Sequence, residues 1–283
     1  MKQSIKISII VFTAIAIVAL LFYFTKRIER AEEIMIRPQS FQKYIENRVD
    51  KDIKGKPYKE AKIAFYDLME EIQTEAFVWL NDSTRALTDE NAMKCRKMAF
   101  YSYAPIFSNY GNSYFEQQSW TIKEADAIRD EANALRAYNF AENGTSLSED
   151  LGIIVKIVTE YHEAIAVVNS ASQCGTVDAA NKVIANAKKY KHDPLTNNKK
   201  LQTELNNVPN VAKESLANKL IANASNIINR KCDYADYPKW YEAYTNMVSA
   251  IEKYENAFGN NAKLTAKKTQ LDQADEDALN CYD

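Results

Sequence analysis

The sequence predicts an all-α protein: an N-terminal transmembrane helix followed by an antiparallel helical bundle, or by two stacked bundles. Three observations predict it. Glycine and proline number six each in 283 residues, about 4% together against an ordinary 12%, and both interrupt helices. Apolar residues recur at spacings of three and four in segment after segment, as on one face of a helix, and no segment alternates as a half-buried strand does. A run of 18 residues near the amino terminus, ISIIVFTAIAIVALLFYF, carries no charge.

That run, Ile7–Phe24, spans about 27 Å as a helix at 1.5 Å per residue, close to the roughly 30 Å core of a bilayer. It closes on bulky Leu21-Phe22-Tyr23-Phe24. Cleavage of a signal peptide needs small residues there, so the run is expected to remain as an anchor. Lys2 and Lys6 precede it, and Lys26, Arg27, Arg30 and Arg37 come after it. Lysine and arginine alone lean slightly against export of the helical body. The lysine-flanked apolar run nevertheless reads as a signal anchor, and four cysteines, an even count, suit an oxidising compartment. The expected topology is a single-pass membrane protein with its amino terminus in the cytoplasm and its domain extracytoplasmic, in the periplasm or at the cell exterior.

Beyond the span, Phe24, Ile28, Ala31 and Met35 continue one helical face until Arg37-Pro38. A short polar helix is expected over Ser40–Ile53, with Gly55-Lys56-Pro57 as its stop. Tyr58–Leu80 comes next, striped by Tyr58, Ala61, Phe65, Leu68, Ile72 and Trp79. The helix after it is expected to start near Thr88, as a cap. It contains the stretch MAFYSYAPIFSNYGNSYFEQQSW, eight aromatic rings with one charge, Glu116. Phe100, Tyr103, Phe107, Tyr110 and Tyr114 are spaced three, four, three, four, the pattern of a core face. Pro105 is expected to kink that helix. Tyr101, Phe115 and Trp120 fall off the stripe and Tyr110 borders the bend. With large apolar area and polar tips, Tyr101, Tyr110, Phe115 and Trp120 are the candidates for contacting a partner or ligand.

Thr121–Tyr138 is the next helix, and Asn143-Gly144 a turn. Ser146–Ser172 is the most apolar segment and is expected to be central. Further helices are expected over Thr176–Lys191, weakly up to Pro209, over Val211–Lys231, from Tyr237-Pro238 to Gly259, and over Ala262–Cys281. The domain plan is a tail and signal anchor over 1–36, a juxtamembrane linker with a short helix over 37–57, an aromatic-rich helical region over 58–142 and a C-terminal helical bundle over 143–283.

Recognisable chemistry is sparse. His162 and His192 have no second histidine at ligand spacing, so neither a metal nor another cofactor is expected. No glycine-rich phosphate loop, nucleophile elbow or HExxH occurs. A net charge of -2 does not call for nucleic acid. Cys95, Cys174, Cys232 and Cys281 show no C-x-x-C spacing and allow three full pairings. An antiparallel hairpin of the last two helices would return Cys281 to the end of the bundle where Cys232 lies; Cys95 with Cys174 is then the pair left by elimination. Six lysines against one aspartate over Asn181–Lys200 give +5, and five acids with no base over Asp272–Asp283 give -5. The first segment is expected to relieve the second.

The function expected is that of a membrane-anchored extracytoplasmic domain that binds another protein, as an envelope or assembly component. The alternatives are a sensor-like ectodomain that binds a ligand and signals through a partner, and a cell-wall enzyme with a site assembled from distant residues.

Overall fold

The computed structural model describes residues 38–77, 82–140, 145–230 and 237–280. The expected span Ile7–Phe24 and its extension to Met35, the turn at Asn143-Gly144, and both Cys232 and Cys281 lie outside these residues. Among the described residues no helix is long and apolar enough to cross a membrane. The described residues form nine α-helices and no strand. These are α1 (Pro38–Arg48), α2 (Tyr58–Phe77), α3 (Asp82–Phe115), α4 (Ile122–Ala137), α5 (Ser146–Ala171), α6 (Val177–Lys189), α7 (Lys199–Ile228), α8 (Tyr237–Phe258) and α9 (Ala262–Asn280). The chain divides into two compact units, one of residues 1–111 with 133–151 and one of residues 112–132 with 152–283. Three helices, α3, α4 and α5, contribute residues to both.

In the first unit α1 runs on into a π-helical turn, Val49–Ile53. Ile45, Val49 and Ile53 are all fully buried. Gly55 then stops the helix at φ 69°, a left-handed conformation that glycine adopts without a Cβ clash. Arg48 joins this segment to α2. Its Nε donates to Asp52 Oδ2 at 2.6 Å, and its Nη1 donates to Glu71 Oε2 at 3.1 Å and to the Tyr44 hydroxyl at 3.0 Å. The Tyr44 hydroxyl donates in turn to Glu71 Oε1 at 2.7 Å. The expected stripe of α2 is buried at Ala61, Phe65, Leu68 and Ile72. It meets α3 through stacked rings: Phe65 on Tyr103 at 4.5 Å and Tyr58 on Tyr110 at 3.9 Å.

Helix α3 begins at Asp82, so Thr88 lies within it and does not cap it. It continues through Pro105 to Phe115. Phe100, Tyr103, Phe107 and Tyr114 of its aromatic stripe are buried, and Tyr110 is half-buried. Thr121 caps α4: its Oγ1 accepts from the Glu124 N–H at 3.2 Å and donates to Glu124 Oε2 at 2.9 Å.

In the second unit α7 packs against α6, α8 and α9. The expected break before Pro209 does not occur. Lys199–Ile228 is one helix of 30 residues with Pro209 inside. The reason is its stripe. Leu201, Leu205, Val208, Ala212, Leu216, Leu220, Ala224 and Ile227 are all buried, on both sides of the proline. An interior proline costs roughly 3 kcal/mol, while each large apolar side chain contributes roughly 1.5–3 kcal/mol when buried. Burial of the whole stripe outweighs one missing backbone bond. Asn198, itself 1% exposed, caps α7 by accepting from the Leu201 N–H at 3.1 Å. Thr176 caps α6 by accepting from the Ala179 N–H at 3.2 Å. Between α8 and α9, Gly259 sits at φ 86° and donates its N–H to the Glu255 carbonyl at 2.8 Å, the glycine C-cap expected there. Leu264, Leu271 and Ala278, seven apart, are the buried seam of α9.

Pro209→Ala restores the missing donor without touching the buried stripe. It is expected to stabilise the protein by about 2 kcal/mol, the helix-interior cost less the lost restriction of the unfolded chain. Urea titration checks this, with a higher midpoint at an unchanged m-value.

Candidate functional site

The four aromatic candidates are divided between the two units. Tyr101 and Tyr110 belong to the first unit, and Phe115 and Trp120 to the second. Tyr101 is 47% exposed, packs edge-on to Phe100 and donates its hydroxyl to the Phe140 carbonyl. Tyr110 lies flat on Tyr58. Phe115 and Trp120 are 1% and 5% exposed. Their rings meet edge-to-face at 5.0 Å, and Trp120 meets Tyr161 likewise at 5.4 Å. The Trp120 indole donates to the Gln117 carbonyl at 2.9 Å, and the Tyr161 hydroxyl donates to the Trp120 carbonyl at 3.3 Å. These polar tips are used inside the fold.

The cysteines also differ from expectation. Cys95 and Cys174 are both buried free thiols, so the pairing reached by elimination is not formed. Each fills a core position as a small apolar group. Burial, and then the charge of Glu46, pushes the Cys95 thiol up to about 11. Burial raises Cys174 as well, opposed by Lys219.

One concavity is a groove of about 680 Å³ in the second unit. Leu216 and Leu220 of α7 form its buried floor. One wall is Gly175, Thr176, Val177 and Asp178, at the start of α6. The other is a face of α8 bearing Asn246, Ser249, Lys253 and Asn256, along with Ala250 and Ala257. These polar residues are spaced three, four, three, so one side of the helix carries them all. Among the described residues none of the four side chains has a hydrogen-bond or ion-pair partner. An apolar floor under a few unpaired polar groups is the usual make-up of a binding cleft. The spacing is legible in the sequence, but a polar helix face reads there as solvated. Only the placing of α6 turns this one into the side of a groove.

Charged groups elsewhere are tied locally. His162 Nε2 lies 2.7 Å from Asp126 Oδ1, and His192 Nε2 lies 3.7 Å from Glu160 Oε2. Among the described residues no three His, Cys, Asp or Glu side chains converge as metal ligands. Among the described residues no ion pair joins the acidic end of α9 to the lysine-rich segment. Asp272 Oδ1 accepts from the Tyr244 hydroxyl at 3.0 Å. Burial, that bond and the neighbouring charges of Asp272 and Asp275 push Tyr244 up to about 12. Asp275 Oδ1 is buried without a hydrogen-bond partner. Burial, then the charges of Asp272 and Glu276, hold the Asp275 carboxyl above the usual carboxylate range. The lysines pack with α6 and the start of α7, while the acids run along α9.

Fold and groove together define an all-α protein of two helical units with an open cleft on the second. Comparison with protein-family models, with curated proteins and with solved structures finds no match to this chain.

Two measurements check these placements. Trp120→Ala is expected to cost about 3–5 kcal/mol, whereas Tyr101→Phe is expected to cost about 1 kcal/mol, its one hydrogen bond; urea unfolding separates the two. For Asp275 the folded pKa lies above the unfolded value. Its contribution to stability is therefore fully present below the unfolded pKa of about 3.9 and is lost as pH rises through the folded pKa. Asp275→Asn is expected to be more stable than wild type at pH 7 by up to about 1 kcal/mol, because it removes a partly buried negative charge beside Asp272 and Glu276. The gain should fade when unfolding is repeated at pH 4.

Proposed function

We propose that this protein is a membrane-anchored, extracytoplasmic helical protein that works by binding another protein, as an assembly or envelope component. The observation that carries the binding role is the groove of about 680 Å³ with its row of unpartnered polar side chains. Groups so placed are hydrated in the free protein and available to a partner. The anchor rests on the uncharged run Ile7–Phe24 and its lysine flanks. Crosslinking in membranes followed by affinity recovery tests the role. A specific second polypeptide is expected, and recovery of nothing above background counts against it.

Export makes a separate demand on the cysteines. The antiparallel hairpin expected of the last two helices supports a disulfide between Cys232 and Cys281 in an oxidising compartment. Its loop of about 50 residues would stabilise by roughly 4 kcal/mol in the chain-entropy model. A membrane-impermeant maleimide is expected to label intact cells only after reductant. Cys232→Ser with Cys281→Ser should abolish that labelling, with Cys95 and Cys174 protected until denaturation. Labelling that requires permeabilised cells would put the domain on the cytoplasmic side.

A further inference from the structure

We infer that the groove between α6, α7 and α8 takes an extended peptide of about five residues bearing one acidic side chain, which pairs with Lys253. The inference rests on the protein-binding role proposed above and adds the chemistry of what is bound. Asn246 and Asn256 are ten residues apart on α8, about 15 Å along the helix. An extended chain rises about 3.3 Å per residue, so roughly five residues run from one amide to the other. Each asparagine offers an acceptor oxygen and an amide donor, the complement of a peptide group's own N–H and C=O. Ser249 adds a hydroxyl between them. These contacts suit a backbone and not one particular sequence.

Selectivity comes from the floor and from charge. Val177 and Ala250, half-buried beside the groove over the covered Leu216 and Leu220, meet apolar side chains. On an extended chain these fall at every second position. Lys253 is the cation among the lining residues and has no partner among the described residues. It calls for a carboxylate on the ligand. Asp178, on the facing wall, repels a second one. The fitting segment therefore has apolar residues two apart and a single acid between them, and is not an acid-rich tail.

Fluorescence anisotropy with the full-length chain in mild detergent tests this. The probes are two fluorescein-labelled heptapeptides with leucines at the third and fifth positions and either glutamate or lysine at the fourth. The glutamate peptide is expected to bind saturably and at least tenfold more tightly than the lysine peptide. Lys253→Glu, at an exposed position, is expected to invert that order. Asn246→Ala with Asn256→Ala is expected to weaken both peptides about tenfold, with unchanged circular dichroism. Absence of saturable binding up to millimolar peptide overturns the inference, as does a preference that survives Lys253→Glu. If crosslinking in membranes still recovers a partner in either case, the groove falls and the binding role stands.

Discussion

The second unit depends on one constraint: α7 must keep its apolar side buried along its whole length of 30 residues. Three other helices, α6, α8 and α9, cover that side. The constraint is strong enough to carry the helix through Pro209, because the buried residues on either side contribute several times what a single absent backbone bond removes. It also sets the groove. Leu216 and Leu220 lie on the buried side of α7 where α6 begins and α8 runs past. The floor of the cleft is thus the same stripe that holds the helices together. Cleft floor and core share residues.

The first unit is held differently. Its interior is largely aromatic, with Phe65, Phe100, Tyr103 and Phe107 fully buried. Rings contribute apolar area and directional packing at once. Tyrosine brings a hydroxyl that must be satisfied where it is buried. Tyr44 meets this by sitting between Arg48 and Glu71, which also ties the π-helical turn to α2. In the second unit Tyr114 and Tyr161 meet it through the backbone at Thr121 and Trp120. The density of tyrosine and tryptophan around residues 98–120 is thereby accounted for by internal partners. A stretch that resembles a contact surface in the sequence is mostly the means of closing two cores.

Helix positions were legible wherever a stripe was accompanied by a stop signal. Gly55, Thr121, Thr176 and Gly259 all act at helix ends as their chemistry requires. Where a local signal competed with a long stripe, the stripe prevailed, as at Pro209. Two bundles were one of the readings of the sequence, but where the units divide was not legible, because the boundaries pass through the interiors of α3, α4 and α5. A helix leaves no mark in its own sequence where it passes from one set of neighbours to another. The groove stayed hidden for a related reason. Asn246, Ser249, Lys253 and Asn256 are ordinary residues for a solvated face, and their meaning comes from α6.

The sequence by itself determined the helical class, the uncharged span ahead of the body and most helix ends. Those properties arise from spacing along the chain and from the backbone preferences of glycine, proline and capping residues. Tertiary structure alone decided which aromatic faces were consumed inside, which thiols stayed free and which polar face borders a cleft. Each of those depends on the distance between residues far apart in sequence. Periodicity says which side of a helix is covered, and only packing says by what.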